Sequence, residues 1–184
     1  MTWTYVEGAD GVLQGADPAA ADISETFEEF YVREFPAMVA LAYALSGSRT
    51  ASEDLAQEAL LAAHGDWDRV GRFERPDVWV RRVVTNLSMS MFRRRYAEAK
   101  ALARLALGTA ITMPALDADD AEFWAAVRSL PRRQAQVIAL RYLDDRSVAE
   151  IAEILGTATG TVKKHLHDGR QAVVHRLRLE EDDR

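Results

Sequence analysis

The sequence contains no cysteine and no long uninterrupted apolar run, and these two absences exclude several classes of protein. Without cysteine there is no disulfide framework, thiol nucleophile, iron–sulfur cluster or cysteine-ligated zinc. The longest apolar stretch, residues 37–45, is about half of the ~20 residues that a membrane-spanning helix needs. The first 20 residues are acidic and lack a basic segment, so we expect no secretory signal and a cytoplasmic protein.

Patterns typical of catalysis and metal binding are also missing. His165 and His167 are two residues apart and therefore point to different faces of a helix. No cysteine or carboxylate set completes a metal site, and no Gly-rich phosphate loop, GxSxG or HExxH pattern occurs. We therefore predict a protein that is not an enzyme, with no catalytic residue, no metal ion and no cofactor.

The charge of the chain alternates along its length. The 184 residues are 48% apolar and 28% charged, which is typical of one medium or two small globular domains. The net charge is −6, but residues 69–104 carry ten basic and three acidic residues, and residues 126–178 carry ten and five. Phosphate binding depends on such local basic segments rather than on the whole-chain charge. For either segment alone, a solvated helix face is the alternative interpretation.

Apolar residues recur at helical spacing from residue 24 onward, and no stretch alternates with the period of a strand. We therefore predict an all-α fold, preceded by a tail at residues 1–23. Thr50 and Glu53 fit a capping box and predict that a helix begins there. Pro76 suits the start of a further helix, which ends in three arginines at residues 93–95.

Residues 105–121 contain Gly108, Pro114 and an acidic cluster, and we predict that they form a flexible linker. The linker would join two small helical domains, residues 24–104 and residues 122–184.

Residues 147–173 have the pattern of a helix-turn-helix. Ser147 and Glu150 fit a second capping box, and Gly156 suits the left-handed residue that follows a helix. The next helix has apolar residues on one face and basic residues, including Lys163 and Lys164, on another. In a helix-turn-helix the second helix enters the major groove of DNA. The alternative is a helical hairpin with a solvated basic face.

Motifs in both predicted domains resemble those of one protein family. The segments LPRRQ (130–134), LRY (140–142), AEIA (149–152) and GTVK (160–163) resemble region 4 of the extracytoplasmic-function class of bacterial RNA polymerase sigma factors. The segment EDLAQE (53–58) resembles region 2.2 of that family, and WVRRVVTNL (79–87) with the following arginines resembles region 2.4. The resemblance covers roughly residues 24–178, and two motifs in order are more specific than either alone.

The resemblance implies an alternative sigma factor that binds the β and β′ subunits of core RNA polymerase and directs initiation at promoters. An anti-sigma protein is a further partner that the sequence leaves open. Contact with the polymerase would fall to Glu53, Asp54, Gln57 and Glu58. Contact with the −10 element would fall to Phe73, Trp79, Arg81, Arg82, Asn86, Arg93 and Arg94. Contact with the −35 element would fall to Thr159, Thr161, Lys163, Lys164, His167 and Arg170.

The chain departs from the family at several positions. Ala158 stands where the family usually has Ser, so we expect Thr157 or Thr159 to cap the second helix. His165 and Asp168 stand where basic residues are common, and a carboxylate facing phosphate would weaken contact with DNA.

Two other functions stay open from the sequence alone. One is a stand-alone helix-turn-helix regulator that binds an operator. The other is an adaptor that binds polymerase or a sigma-like partner without reading DNA. For Trp79, a core position is the alternative to base stacking.

Overall fold

The computed structural model describes residues 25–105 and 118–182, and every regular element in these two ranges is a helix. The prediction of an all-α fold is therefore confirmed. In chain order the helices are α1 (Phe27–Ser46), α2 (Arg49–His64), α3 (Trp67–Val70), α4 (Pro76–Leu105), α5 (Ala118–Arg128), α6 (Arg132–Tyr142), α7 (Val148–Leu155) and α8 (Thr159–Asp182). The predicted tail, residues 1–23, lies outside the described residues.

Local signals in the sequence set both ends of α1. The Thr26 hydroxyl accepts a hydrogen bond from the Glu29 N–H, and the Glu29 carboxylate accepts one from the Thr26 N–H. These two bonds satisfy backbone donors that the first turn leaves free. Gly47 ends the helix with a φ of 69°, which glycine adopts readily because it has no Cβ. Between these ends, Phe30 and Met38 lie on the face that turns into the core.

The predicted start of α2 at Thr50 is wrong, because Ser48 caps this helix. Ser48 has extended backbone angles, and its hydroxyl accepts a hydrogen bond from the Ala51 N–H at 3.4 Å. A capping residue must itself be non-helical, and Thr50 already lies inside the first turn. The left-handed Gly47 ends α1. Ser48 follows it directly as the cap of α2, which begins at Arg49.

Both ends of the predicted linker, residues 105–121, belong to helices. Helix α4 begins at Pro76, as predicted, but its predicted end at residues 93–95 is wrong, because the helix continues to Leu105. Helix α5 begins at Ala118. The sequence EAKALARL at residues 98–105 consists of strong helix formers, so nothing in it ends α4 earlier. The acidic cluster that was assigned to the linker lies in the first turn of α5, where negative charge is favourable because the N-terminus of a helix carries partial positive charge. Residues 106–117 lie outside the described residues.

Helices α7 and α8 form the predicted helix-turn-helix. Ser147 and Glu150 close the predicted capping box, and Gly156 follows α7 with a φ of 60°. The expected cap of α8 by Thr157 or Thr159 is wrong, because α8 begins at Thr159 and the position before it is Ala158. The Ala158 carbonyl accepts the first backbone hydrogen bonds of the helix, but its methyl group accepts none.

Helix α8 packs very closely on α6 at Gly169. A Cβ atom built on Gly169 would lie 3.1 Å from Cγ1 of Ile138 and 3.5 Å from Cβ of Gln134. The absence of a side chain at this position therefore allows α8 to lie this close to α6.

The two domains, α1–α4 and α5–α8, pack directly on each other; we call them the N-terminal and C-terminal domains. Their buried apolar side chains form one continuous cluster. Helix α1 contacts α5 and α6, and α4 contacts α7. The helix that carries residues 79–86 therefore faces the helix-turn-helix.

Candidate polymerase and promoter interfaces

Helix α2 presents an acidic face to solvent. The four residues predicted to bind polymerase are all exposed, and they are Glu53, Asp54, Gln57 and Glu58. Leu55, Ala56, Ala59 and Leu60 alternate with them and are buried, so the amphipathic pattern itself fixes which side faces outward. Asp54 and Glu58 are four residues apart and lie one above the other on that face.

Sequence reasoning missed Leu61, whose side chain is 64% exposed on the same helix. It lies three residues after Glu58 and so continues the line of Asp54 and Glu58. The signal was available, because an apolar residue at this spacing falls outside the buried stripe of α2.

The two aromatic residues predicted near the −10 contacts are partly buried. Phe73 and Trp79 both pack against the core, and the Arg69 guanidinium lies over the Phe73 ring at 5.6 Å from its centroid. Both rings keep some exposure, and each also contributes to packing.

Arg81 is buried among carboxylates, with only 3% of its surface exposed. Its Nε and Nη2 donate to the two oxygens of Asp144, at 2.6 and 3.3 Å. Its Nη1 donates to Glu34 Oε2 at 2.7 Å. Burial alone would lower the pKa of Arg81, but the hydrogen bonds and charges of Asp144 and Glu34 raise it instead. The guanidinium is therefore held charged and fully paired in this structure.

Arg82 donates to backbone carbonyls in the last turn of α7. Its Nε lies 2.7 Å from the Ile154 oxygen, and its Nη2 lies 2.8 Å from the Glu153 oxygen. Burial and then the neighbouring charge of Arg133 lower the pKa of Arg82. The helix end offsets part of this cost, because the carbonyls of the last turn carry partial negative charge.

Asn86 also has its partners in the C-terminal domain. Its Oδ1 accepts a hydrogen bond from Gln136 Nε2 at 3.2 Å and another from Arg132 Nη2. Arg93 and Arg94, further along α4, are exposed. Apart from the two aromatic residues, the predicted −10 residues therefore fall into a covered group, Arg81, Arg82 and Asn86, and an exposed pair, Arg93 and Arg94.

Helix α8 exposes the predicted −35 residues together. Exposed along it are Thr159, Thr161, Lys163, Lys164, His167 and Arg170. Val162, Leu166 and Val173 are buried on the opposite side.

Two of the positions at which the chain departs from the family, His165 and Asp168, also lie on α8. Lys164 Nζ lies 2.9 Å from Asp168 Oδ2, and this contact lowers the pKa of Asp168. The carboxylate is thus paired within the helix, four residues from its partner. His165 is partly buried, and its Nδ1 has no hydrogen-bond partner among the described residues.

An open groove of 470 Å³ runs beside α8, and one of the residues that line it was not predicted to belong to the site. Arg141, Lys163, His167 and Arg170 line it together with the start of α7. Arg141 was part of a motif but was not assigned to the site. Tyr142, which is not among the lining residues, was also not predicted: its ring, 51% exposed, lies under the Arg170 guanidinium at 5.5 Å from the ring centroid, and its hydroxyl accepts a hydrogen bond from Arg170 Nε.

Within residues 25–105 and 118–182 no group of His, Asp and Glu could hold a metal ion. Over the same ranges, none of the helices combines the length and apolarity needed to cross a bilayer.

Comparisons with known proteins agree with both domains. Residues 30–98 match sigma-70 region 2, and residues 120–173 match sigma-70 region 4. The chain is 29% identical over 181 residues to the ECF RNA polymerase sigma factor SigW of Bacillus subtilis, covering 91% of this chain and 93% of that protein. It is 30% identical over 141 residues to the RNA polymerase sigma-E factor of Streptomyces avermitilis, covering 77% and 79%.

A solved structure with a similar fold is that of the sigma factor RpoE in complex with the anti-sigma factor NepR, from Bartonella quintana. The TM-score is 0.62 at 26% sequence identity, and the match covers 83% of this chain and 96% of that one. Two domain matches in order, together with relatives aligned over most of their length, make this chain a member of the extracytoplasmic-function class of the sigma-70 family, the RNA polymerase subunits that direct promoter-specific initiation.

Proposed function

We propose that the two domains of this sigma factor divide the work of promoter recognition. The N-terminal domain, residues 24–104, would bind core RNA polymerase and the −10 element. The C-terminal domain, residues 122–184, would bind the −35 element. The observation that carries this division is the separation of charge, since the acidic face of α2 and the basic face of α8 are both exposed and lie in different domains.

The acidic face of α2 suits a basic protein surface. Glu53, Asp54 and Glu58 are exposed carboxylates, and hydrogen bonds between carboxylates and arginine or lysine are the stronger, charge-assisted kind. Leu61 adds an exposed apolar group to the same line, which an interface can bury. We assign this face to the β′ subunit, with the β subunit as a further contact of the holoenzyme.

The first part of α4 suits an opened −10 strand. A base taken out of the duplex is held by stacking on aromatic rings and by polar side chains. Phe73 and Trp79 supply partly exposed rings. Arg81, Arg82 and Asn86 would supply donors and an amide once their hydrogen bonds to the C-terminal domain are broken. Arg93 and Arg94 are exposed where they can contact phosphates.

Helix α8 suits the major groove at the −35 element. Its exposed side carries Lys163, Lys164 and Arg170 for phosphate, with Thr159, Thr161 and His167 available for base edges. The pairing of Lys164 with Asp168 reduces the charge that Lys164 offers to DNA, so we assign the larger share of phosphate contact to Lys163 and Arg170.

On this proposal the protein performs no covalent chemistry, needs no cofactor and works in the cytoplasm beside the polymerase. The sigma factor RpoE of Bartonella quintana forms a complex with the anti-sigma factor NepR. We propose that this chain likewise binds an anti-sigma protein. The exposed acidic face of α2 favours a sigma factor over a stand-alone helix-turn-helix regulator, because a regulator that binds only DNA does not need an acidic protein-binding surface. The exposed basic face of α8 favours a sigma factor over an adaptor that does not bind DNA, because basic residues on such a face suit contact with phosphate.

Run-off transcription with purified core polymerase tests the proposal. Core enzyme with this protein should initiate at specific promoters, and mapping of the start sites would then give the −10 and −35 sequences. Tight protection of duplex DNA by the protein alone, without initiation when core is added, would contradict it.

A further inference from the structure

Tyr142 is the last residue of α6, and its side chain meets Arg170 of α8. The central carbon of the Arg170 guanidinium lies 5.5 Å from the centroid of the Tyr142 ring, within the range of a cation–π contact. The Tyr142 hydroxyl also accepts a hydrogen bond from Arg170 Nε. The ring therefore sets where the guanidinium lies, and the hydroxyl sets how it is turned.

The close packing of α8 on α6 brings these two side chains together. Gly169 precedes Arg170, and a Cβ atom at Gly169 would lie 3.1 Å from Cγ1 of Ile138 on α6. Tyr142 follows Ile138 by four residues and so lies one turn further along the same face of α6. Arg170 therefore leaves α8 beside the ring of Tyr142, although the two are 28 residues apart in sequence.

Tyrosine holds Arg170 without neutralising its charge. Among the residues that the structure describes, Arg170 has no carboxylate partner, and its polar contacts are the two with Tyr142. Lys164 on the same helix differs, because its Nζ lies 2.9 Å from Asp168 Oδ2. A tyrosine side chain is uncharged at neutral pH. Arg170 thus keeps its full positive charge for DNA, whereas the charge of Lys164 is partly offset.

The hydrogen bond from Nε also determines which donors of Arg170 stay available. A guanidinium has five N–H donors, one on Nε and two on each terminal nitrogen. With the Nε donor bound to Tyr142, Nη1 and Nη2 can bind two oxygens of one phosphate. Arg170 is exposed and lines the open groove with Arg141 and Lys163, whose positive charges repel it. Tyr142 therefore keeps Arg170 in a basic groove against the repulsion of its neighbours.

We propose that Tyr142 is a positioning residue for DNA binding, which holds Arg170 in the orientation that binds a phosphate of the −35 element. The proposal rests on the −35 role proposed above for α8 and Arg170. A long side chain that is ordered before binding loses less conformational freedom when it meets DNA. Tyr142 thus raises the affinity for DNA without touching the DNA itself.

Four substitutions test this role. Tyr142→Phe removes the hydroxyl and keeps the ring, Tyr142→Leu removes both, and Arg170→Gln removes the charge. Tyr96→Phe is the matched control, because it removes the same hydroxyl from a tyrosine that is 61% exposed in the N-terminal domain. Tyr142 is itself 51% exposed, so its replacement opens no cavity, and circular dichroism checks that each variant is folded.

The contact is measured first in the full chain without DNA. The NMR signal of the Arg170 Nε–H is assigned by its loss in Arg170→Gln. Its exchange with water should be several-fold faster in Tyr142→Phe and Tyr142→Leu than in the wild type, because a hydrogen-bonded donor is protected. Tyr96→Phe should leave the exchange unchanged. Equal exchange in the wild type and Tyr142→Phe would overturn the proposal, since the hydroxyl would then not hold Arg170.

DNA binding is measured next with holoenzyme, on promoter duplexes that carry either the mapped −35 element or a scrambled one. Tyr142→Phe should weaken the −35-dependent affinity about threefold and Tyr142→Leu about tenfold, since each exposed contact of this kind contributes a factor of that order. Both should leave the log–log salt slope unchanged, because Arg170 still reaches phosphate in the complex. Arg170→Gln should make the slope shallower by about one unit. Tyr96→Phe should equal the wild type.

The double variant decides whether Tyr142 acts through Arg170. In the Arg170→Gln background, Tyr142→Phe should cause no further loss of affinity. The same loss with and without Arg170 would overturn the proposal, because Tyr142 would then act on its own. A Tyr142→Leu holoenzyme that binds as tightly as the wild type would also overturn it. A wild-type holoenzyme that binds both duplexes equally would instead refute the −35 function of α8 itself, and with it this role of Tyr142, so the two failures are distinguishable.

Discussion

The packing of α8 on α6 can be tested at Gly169, with Gly160 in the same helix as the control. Replacing a helical Gly by Ala normally stabilises a protein, by roughly 0.4–1 kcal/mol. At Gly169 the new methyl would lie 3.1 Å from Cγ1 of Ile138, a side chain that is 1% exposed and cannot move aside freely. Overpacking of this kind costs about 1–3 kcal/mol. We therefore expect Gly169→Ala to destabilise the protein by about 1 kcal/mol.

Gly160→Ala removes the same backbone freedom without the contact. Apart from the adjacent residues and the backbone of its own helix, nothing lies within 4 Å of a Cβ at Gly160. Only the gain from helix propensity therefore applies, about 0.5 kcal/mol in the first turn. The two variants should thus differ by roughly 1.5 kcal/mol in unfolding free energy, although they make the same chemical change nine residues apart in one helix. For a chain of this size that corresponds to several degrees in Tm.

Urea and thermal unfolding of the two variants and the wild type, followed by circular dichroism, measure the difference. The reasoning about close packing would be refuted if Gly169→Ala stabilised the protein as much as Gly160→Ala does. A destabilised Gly169→Ala would establish that α8 rests on α6 at a distance that tolerates no added methyl.

Three further predictions concern charge. Changing Lys163 and Lys164 to Ala should make the salt dependence of −35 duplex binding shallower by about one to two units of log–log slope; an unaltered slope would mean that α8 does not touch phosphate. Reversing Asp54 to Lys should weaken association with core polymerase in a pull-down while the circular dichroism spectrum is unchanged, and equal affinity would remove α2 from the interface. The pKa of Glu150 is lowered from 4.5 to about 2, first by hydrogen bonds from Ser147. The ionised form therefore stabilises the fold above pH 4.5, and the stability difference between the wild type and Glu150→Gln should shrink as the pH falls from 4.5 towards 2; a difference independent of pH over that range would contradict this.

Local features of the fold were largely predictable from the sequence. Glu150 lies three residues after Ser147, and Gly156 follows at the end of the apolar stripe, so caps and a left-handed stop fixed α7 almost to the residue. These signals act within a few residues along the chain, which is why reading the sequence detects them. Where two candidates compete for the same task, as Ser48 and Thr50 do at the start of α2, the choice depends on the backbone of the preceding Gly47.

The surroundings of Arg81 were not predictable, because its partners are distant in sequence. Asp144 is 63 residues away and Glu34 is 47 residues away, and nothing local to α4 indicates either. The pattern correctly put the apolar residues of α4 on one face, and basic residues beside such a face are usually exposed. Burial of Arg81 follows instead from the docking of one domain on the other, which depends on the shapes of both.

Arg82 donates to two main-chain oxygens of α7, those of Ile154 and Glu153. Every amino acid supplies a carbonyl, so substitutions at Glu153 or Ile154 that keep the helix intact leave these two acceptors in place. The exposed side chains of the helix-turn-helix can therefore be exchanged without removing these two hydrogen bonds between the domains.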